Sequence, residues 1–231
     1  MLTLERVALR LGGFALAADW VAEPGARIAL IGPSGAGKST LLLAVAGFVG
    51  PARGRILWRG RDLAATAPGD RPVSVLFQDQ NLFPHLTLAQ NLELGLTAGR
   101  RPDAGQRRAV GAALARVGLE GMGHRRPAQV SGGQQARAAL ARALLRARPV
   151  LLLDEPFAAL GPAMKADMLD LVAEVADETR ATVLMATHDA AEARRLCPLA
   201  VVVEGGTAHA PQGTARLLDD PPPALRAYLG R

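Results

Sequence analysis

Apolar runs of strand length alternate with helical patterns along most of this chain, from "ARIALIG" (26–32) to "TVLMATH" (182–188). An unbroken apolar run bounded by turn residues is the mark of a strand buried on both faces. Its alternation with helices predicts a parallel sheet flanked by helices. The first 30 or so residues and "GRILWRG" (54–60) read instead as antiparallel strands attached to one side of that sheet. Between about 85 and 129 the strand signal disappears. "HLTLAQNLELGL" and "AGQRRAVGAALARVGL" carry helical spacing interrupted by Gly and Pro, which predicts a helical lobe inserted into the core. The expected organisation is one α/β domain over 1–231. Residues 1–84 and 148–231 form the core and the antiparallel part, and about 85–147 form the helical part. No repeat or low-complexity linker is visible, and "DDPPPALRAYLGR" is expected to leave no length for a further C-terminal domain.

Composition narrows the class. Apolar residues make up 49% of the 231, enough for a folded core and too many for a disordered chain. The longest uncharged apolar run, "LLLAVAGFVG" (41–50), is about half the roughly 20 residues a membrane-spanning helix needs, so the chain is not expected to span a membrane itself. The start, "MLTLERVALRLGG", places Glu5 among alternating apolar positions where a signal peptide would have an unbroken apolar stretch, and reads as a strand. The single cysteine, Cys197, excludes an internal disulfide and reads as a buried thiol. The net charge of +6 comes almost entirely from arginines scattered through Ala-rich helices and interleaved with acids. That pattern predicts a solvated surface and no nucleic-acid partner. Lysine occurs only twice, as Lys38 and Lys165.

Lys38 falls within "GPSGAGKST" (32–40), which follows the apolar "RIALI" and precedes the helix-like "KSTLLLAVAG". This is the strand, glycine loop and helix order of a P-loop, with Gly32, Gly37, Lys38 and Ser39 at full spacing. The backbone N–H groups of Gly32, Pro33, Ser34, Gly35, Ala36 and Gly37, proline excepted, can close around phosphates. Lys38 can bridge the β and γ phosphates, and Ser39, followed by Thr40, can ligand Mg²⁺. "PVLLLDEP" (149–156) is a buried-strand run that ends in two carboxylates. Asp154 suits the shell of that Mg²⁺, and Glu155 would face the γ-phosphate and orient the attacking water. "VSVLFQDQ" and "TVLMATHD" end two further strands near Gln78 and His188, which are expected at the γ-phosphate or the water. "VSGGQQARAALARAL" (130–144) places a Ser-Gly-Gly turn before a helix, a second seat for an anion.

These motifs together, with Gln78, "VSGGQ" (130–134), "LLLDEP" (151–156) and His188 in this order and spacing, resemble the nucleotide-binding subunits of ABC transporters over essentially the whole chain. The resemblance implies a P-loop ATPase fold, with a RecA-like, mainly parallel core sheet, an antiparallel β subdomain and an inserted α-helical subdomain. It implies ATP and Mg²⁺, with Ser39, Gln78 and Asp154 around the metal, and Gln78 in a loop that also meets the transmembrane partner. Ser131, Gly132, Gly133 and Gln134 match the family signature, and His188 matches its switch histidine. Two copies would form a head-to-tail homodimer, each ATP lying between the P-loop of one copy and the signature of the other. The partners implied are an integral membrane permease and, indirectly, a periplasmic solute-binding protein, with the subunit peripheral on the cytoplasmic face of the inner membrane.

Within that family, "RPVSVLFQDQNLFPHLTLAQNLELGL" (71–96) and "GPSGAGKSTLLLAVAGF" look like the ATPases of bacterial thiamine importers. No residue here recognises thiamine, and importers of ferric iron or polyamines are the nearest competitors. A ribosome- or DNA-directed ATPase would carry two such domains or a long coiled coil. A P-loop kinase or GTPase would leave residues 130–134 without a purpose. The chain departs from the family at several points. The adenine-stacking aromatic should fall near Arg10 or Leu11, and Phe14 is the nearest. Ala158 stands where Ser is usual, Gly161 where the D-loop has Asp, and Val130 where the signature begins with Leu. Leu82, Phe83 and Leu86 read equally as lobe core or as a groove for a permease helix.

Overall fold

A computed structural model of the chain describes residues 1–77, 82–97, 101–158, 160–222 and 225–226. The chain opens with an antiparallel hairpin, β1 (Leu2–Leu11) and β2 (Phe14–Ala22). Leu16, Ala18, Trp20 and Ala22 of β2 point inward between more exposed neighbours, as in a sheet with one solvated face. After β3 (Arg27–Ile31) and α1 (Lys38–Ala46), the strands β4 (Arg53–Trp58) and β5 (Arg61–Asp62) extend the antiparallel part, and β6 (Val73–Leu76) joins the parallel part. The helical lobe follows: α2 (Leu88–Thr97), α3 (Ala104–Arg116), a 3₁₀ turn at Pro127–Gln129, and α4 (Gly132–Leu145). The chain then returns to the sheet through β7 (Val150–Asp154), α5 (Pro162–Thr179), β8 (Thr182–Ala186), α6 (Ala190–Leu196) and β9 (Leu199–Glu204). It finishes with β10 (Thr207–Ala208), β11 (Gln212–Gly213) and α7 (Thr214–Asp219).

The strand order is β5-β4-β1-β2-β10-β9-β3-β8-β7-β6, with β11 beside β9. From β9 to β6 every pairing is parallel, and from β5 to β2 every pairing is antiparallel. The predicted architecture therefore holds: a mainly parallel core, an antiparallel part at one side and an inserted helical lobe. The unbroken apolar runs are explained by the layers. Ile28 and Leu30 of β3, Leu152 of β7 and Leu184 of β8 pack toward α1, while Ile31, Leu151, Leu153, Val183 and Met185 pack toward the helices on the other face. Side chains alternate between two cores, so neither face can be polar. Cys197 is fully buried, and its burial pushes the thiol up to about 12, as expected of an inert thiol. Among the described residues no helix is long and apolar enough to cross a membrane.

Arg71, a residue to which the sequence pattern assigned no role, closes the end of α1. It is 4% exposed, and burial lowers its pKa. Its guanidinium donates to the carbonyls of Ala44 and Val45, the last turn of α1, and to those of Leu63 and Thr66. A helix C-terminus carries carbonyls without partners inside the helix, and the guanidinium supplies them. Ala44 and Leu63 also accept from the N–H groups of Gly47 and Thr66, so Arg71→Leu removes the added donor there and the side-chain donor of Val45 and Thr66. Unfolding in urea should show a loss of about 2–4 kcal/mol.

Candidate functional site

The parallel strands end together. Leu30 of β3 lies opposite Ala186 of β8, and Asp154 of β7 lies on Ala186 from the other side. The loops leaving β3, β7 and β8 are thereby gathered at one carboxyl edge, where open α/β sheets bind ligands.

Gly32 to Gly37 form the loop after β3, and Lys38, Ser39 and Thr40 are the first turn of α1. The glycines are there for close approach. A Cβ on Gly32 would lie 2.0 Å from the Val203 carbonyl oxygen. Gly37 has φ 105°, in the left-handed region, and a Cβ there would lie 2.5 Å from the tip of the Phe14 ring. Gly37 gives α1 no side-chain cap, so the first N–H groups of the helix remain available to an anion. Lys38 is 6% exposed, and its ammonium donates to the carbonyls of Gly32 (2.6 Å) and Pro33 (2.9 Å). Burial lowers its pKa, with Glu155 and Asp154 acting in the opposite direction.

Across β8, the Ser39 hydroxyl donates to Asp154 Oδ1 at 2.8 Å. Burial raises the Asp154 pKa. The Ser39 hydrogen bond and Lys38 oppose the rise, and Glu155 adds to it. Glu155 follows with φ 44°, a left-handed turn that a non-glycine residue seldom adopts, and its N–H donates to the Ala186 carbonyl at 3.0 Å. The turn swings the side chain out of the strand direction, so that Oε2 lies 3.1 Å from His188 Nδ1, two residues beyond β8. Glu155 and His188, 33 positions apart in sequence, thus form one pair.

The residues at this edge fit a phosphate and Mg²⁺. Among the described residues the Lys38 ammonium donates to two neutral carbonyls and forms no ion pair, and a phosphate would supply a directly bonded anion. A single carboxylate with a hydroxyl beside it matches the sparse protein ligation of Mg²⁺, which takes its other ligands from phosphate and water.

The signature residues lie apart from this cluster. Ser131 caps α4: its hydroxyl accepts from the Gln134 N–H at 3.3 Å, while Gln134 Oε1 accepts from the Ser131 N–H at 2.9 Å, a closed capping box. Ser131 and Gly132 are exposed. Gly133 faces Leu160, whose side chain would lie 3.1 Å from a Cβ on the glycine. Among the described residues no hydrogen bond or ion pair joins 131–134 to the phosphate loop. Gln78 lies outside the described residues.

Two of the departures, and the apolar group at 82–86, have a structural context. Arg10 and Leu11 are exposed, whereas the Phe14 ring rests on the phosphate loop at Gly37. Gly161 precedes Pro162 at the start of α5, and a Cβ there meets nothing within 4 Å, so space does not explain the glycine. Leu82 packs against the core and Leu86 is half-buried, while Phe83 is 46% exposed. Phe83 lines a cavity of about 610 Å³ between the helical lobe and the core, together with Phe48 and Phe77, whose rings meet edge to face at 5.8 Å.

Residues 17–158 match the family model described as ABC transporter, and the chain belongs to that family as its ATP-hydrolysing cassette. Its curated relatives include proteins named thiamine import ATP-binding protein ThiQ. The one from Cereibacter sphaeroides is 64% identical over the full length of both chains, and that from Ruegeria sp. is 54% identical over the full length of both. Among solved structures, the chain is similar to the dimeric post-hydrolysis state of the ATP-binding cassette MJ0796 bound to ADP and Pi. That similarity has a TM-score of 0.83 at 27% identity, covering 93% of this chain and 99% of that one.

Proposed function

We propose that this chain energises the uptake of thiamine, or a thiamine phosphate, through a membrane permease, by hydrolysing ATP at the carboxyl edge of its parallel sheet. The observation that carries the chemistry is the convergence there of Lys38, the Ser39–Asp154 pair and the Glu155–His188 pair. The solute is supported by the relatives named for thiamine import, identical to this chain at 64% and 54% of positions.

In this reading residues 32–40 seat the triphosphate on backbone N–H groups, and Lys38 leaves its two carbonyls for the β and γ phosphates. Ser39 and Asp154, with Gln78, would hold Mg²⁺, and the metal would neutralise charge on the phosphates. Glu155 orients the attacking water and takes its proton as the oxygen bonds to the γ-phosphorus, ADP leaving on the opposite side. His188, held by Glu155, contacts the γ-phosphate. Phe14 is the aromatic surface nearest the nucleotide loop. Residues 131–134 complete the site of a second copy, a reading supported by the exposure of Ser131 and Gly132 and by the dimeric state of the similar MJ0796 cassette. The subunit is peripheral on the cytoplasmic face of the inner membrane, with an apolar segment of the permease entering the cavity lined by Phe48, Phe77 and Phe83. Residues 1–84 and 148–231 act as the nucleotide-binding core, and about 85–147 as the lobe that carries the signature.

Reconstitution with the permease and solute-binding protein encoded beside it is the direct test: thiamine should stimulate ATP hydrolysis. Stimulation by iron or a polyamine instead would discard the solute and keep the importer. Mixing Ser131→Arg chains with Lys38→Ala chains tests the shared site. One interface of a mixed dimer then carries both defects and the other neither, so activity should reappear on mixing. Mixtures that all stay inactive would count against independent composite sites.

A further inference from the structure

Lys165 is one of only two lysines in the chain, and the site described so far makes no use of it. It lies in the first turn of α5, and its N–H donates to the Gly161 carbonyl at 3.0 Å. Its ammonium is 2.9 Å from Glu192 Oε1 on α6. Glu192 is 7% exposed, an unusual position for a carboxylate unless a cation and further hydrogen bonds compensate it. The second oxygen is also used: the Thr187 hydroxyl donates to Glu192 Oε2 at 2.6 Å. Thr187 Oγ1 in turn accepts from the Asp189 N–H at 3.0 Å, so the turn 187–189 is held on both sides of His188.

The contacts close a ring. Glu155 precedes α5 in the chain by seven residues. Lys165 crosses to Glu192, Glu192 holds Thr187, and His188 returns to Glu155. A second link between α5 and α6, the paired hydrogen bonds from Arg195 to Asp170, is solvent-exposed and holds the helices less firmly than the half-buried lysine on its buried carboxylate.

We propose that Lys165 and Glu192 are positioning residues: through Thr187 they hold His188 against Glu155, and they tie that pair to the start of α5. This rests on the proposed roles of His188 and Glu155. It adds that the lysine acts on hydrolysis through the histidine and not through ATP binding.

Single-turnover hydrolysis of labelled ATP tests it, using Lys165→Gln, Lys165→Arg and Glu192→Gln, each alone and together with His188→Ala. Lys165→Gln should slow the step about tenfold while leaving ATP affinity within about twofold, and Lys165→Arg should restore the rate. In the His188→Ala background the same change should cost no more than about twofold, because both substitutions remove one interaction. The imidazole NMR spectrum adds a readout independent of activity. Of the four histidines, only the His188 signals should move in Lys165→Gln. Should Lys165→Gln fail to fold, Glu192→Gln carries the same tests, since its amide keeps an acceptor for Thr187. Fully multiplicative effects, a parallel loss of ATP affinity, or an unmoved His188 signal would overturn the proposal. Wild-type hydrolysis by His188→Ala alone would instead overturn the reading of the site on which it rests.

Discussion

Glu155→Gln lowers ATP hydrolysis by about a hundredfold or more while ATP continues to bind, and the variant accumulates as an ATP-loaded dimer. The expectation follows from how the residue is held. Its backbone is fixed in a left-handed turn by the N–H bond to Ala186, which the substitution does not touch. The amide has nearly the shape of the carboxylate and can still meet His188, but it cannot take a proton from water. The proposed seat of the triphosphate at residues 32–40 remains intact, so the affinity should change little. With the chemical step blocked and binding preserved, the closed dimer has no exit. Gel filtration with light scattering in ATP, beside a phosphate-release assay, reads both halves of the claim. Turnover near wild type would remove Glu155 from the role of base.

Lys38→Ala has the opposite signature, because it acts on binding first. The ammonium is buried, its pKa is lowered by that burial, and it donates to two neutral carbonyls. Charge-assisted hydrogen bonds to phosphate contribute about 1.5–3 kcal/mol each, so losing two should weaken ATP binding by roughly a hundredfold or more. The nucleotide-free protein should be little affected, since the burial cost of the charge disappears along with its hydrogen bonds. Thermal unfolding separates the two effects. ATP at about a hundred times Kd stabilises a protein by about 2.7 kcal/mol, or several degrees at this size, and that shift should vanish in Lys38→Ala. Unchanged nucleotide affinity would contradict the placement of Lys38 on the phosphates.

The two substitutions act on opposite faces of one legible pattern. Residues 32–40 could be read in advance because a glycine loop between a buried strand and a helix is local, and its chemistry lies in adjacent residues. The same holds for 150–155, where an apolar run ends in two acids, and for Ser131 and Gln134, which cap their own helix three residues apart. The pairing of Glu155 with His188 was less legible: each stood at the end of a strand, but only the order β3-β8-β7 makes those strands neighbours. For Leu82 and Phe83, the apolar pattern admitted either core or surface. In the fold both line the cavity between lobe and core, but Leu82 also packs against the core while Phe83 is exposed.

By itself, then, the sequence determined the parallel core, the inserted helical lobe and the short motifs at the strand ends, because periodicity and turn chemistry act over a few residues. Only the tertiary structure decided that Arg71 closes the helix of the phosphate loop, that Phe14 rests on Gly37, and that Lys165 reaches His188 through Glu192 and Thr187. Each of these depends on what stands opposite a side chain across the packed interior. Hydrophobic pattern reports that a position is buried, and the chain must fold before the position has a neighbour.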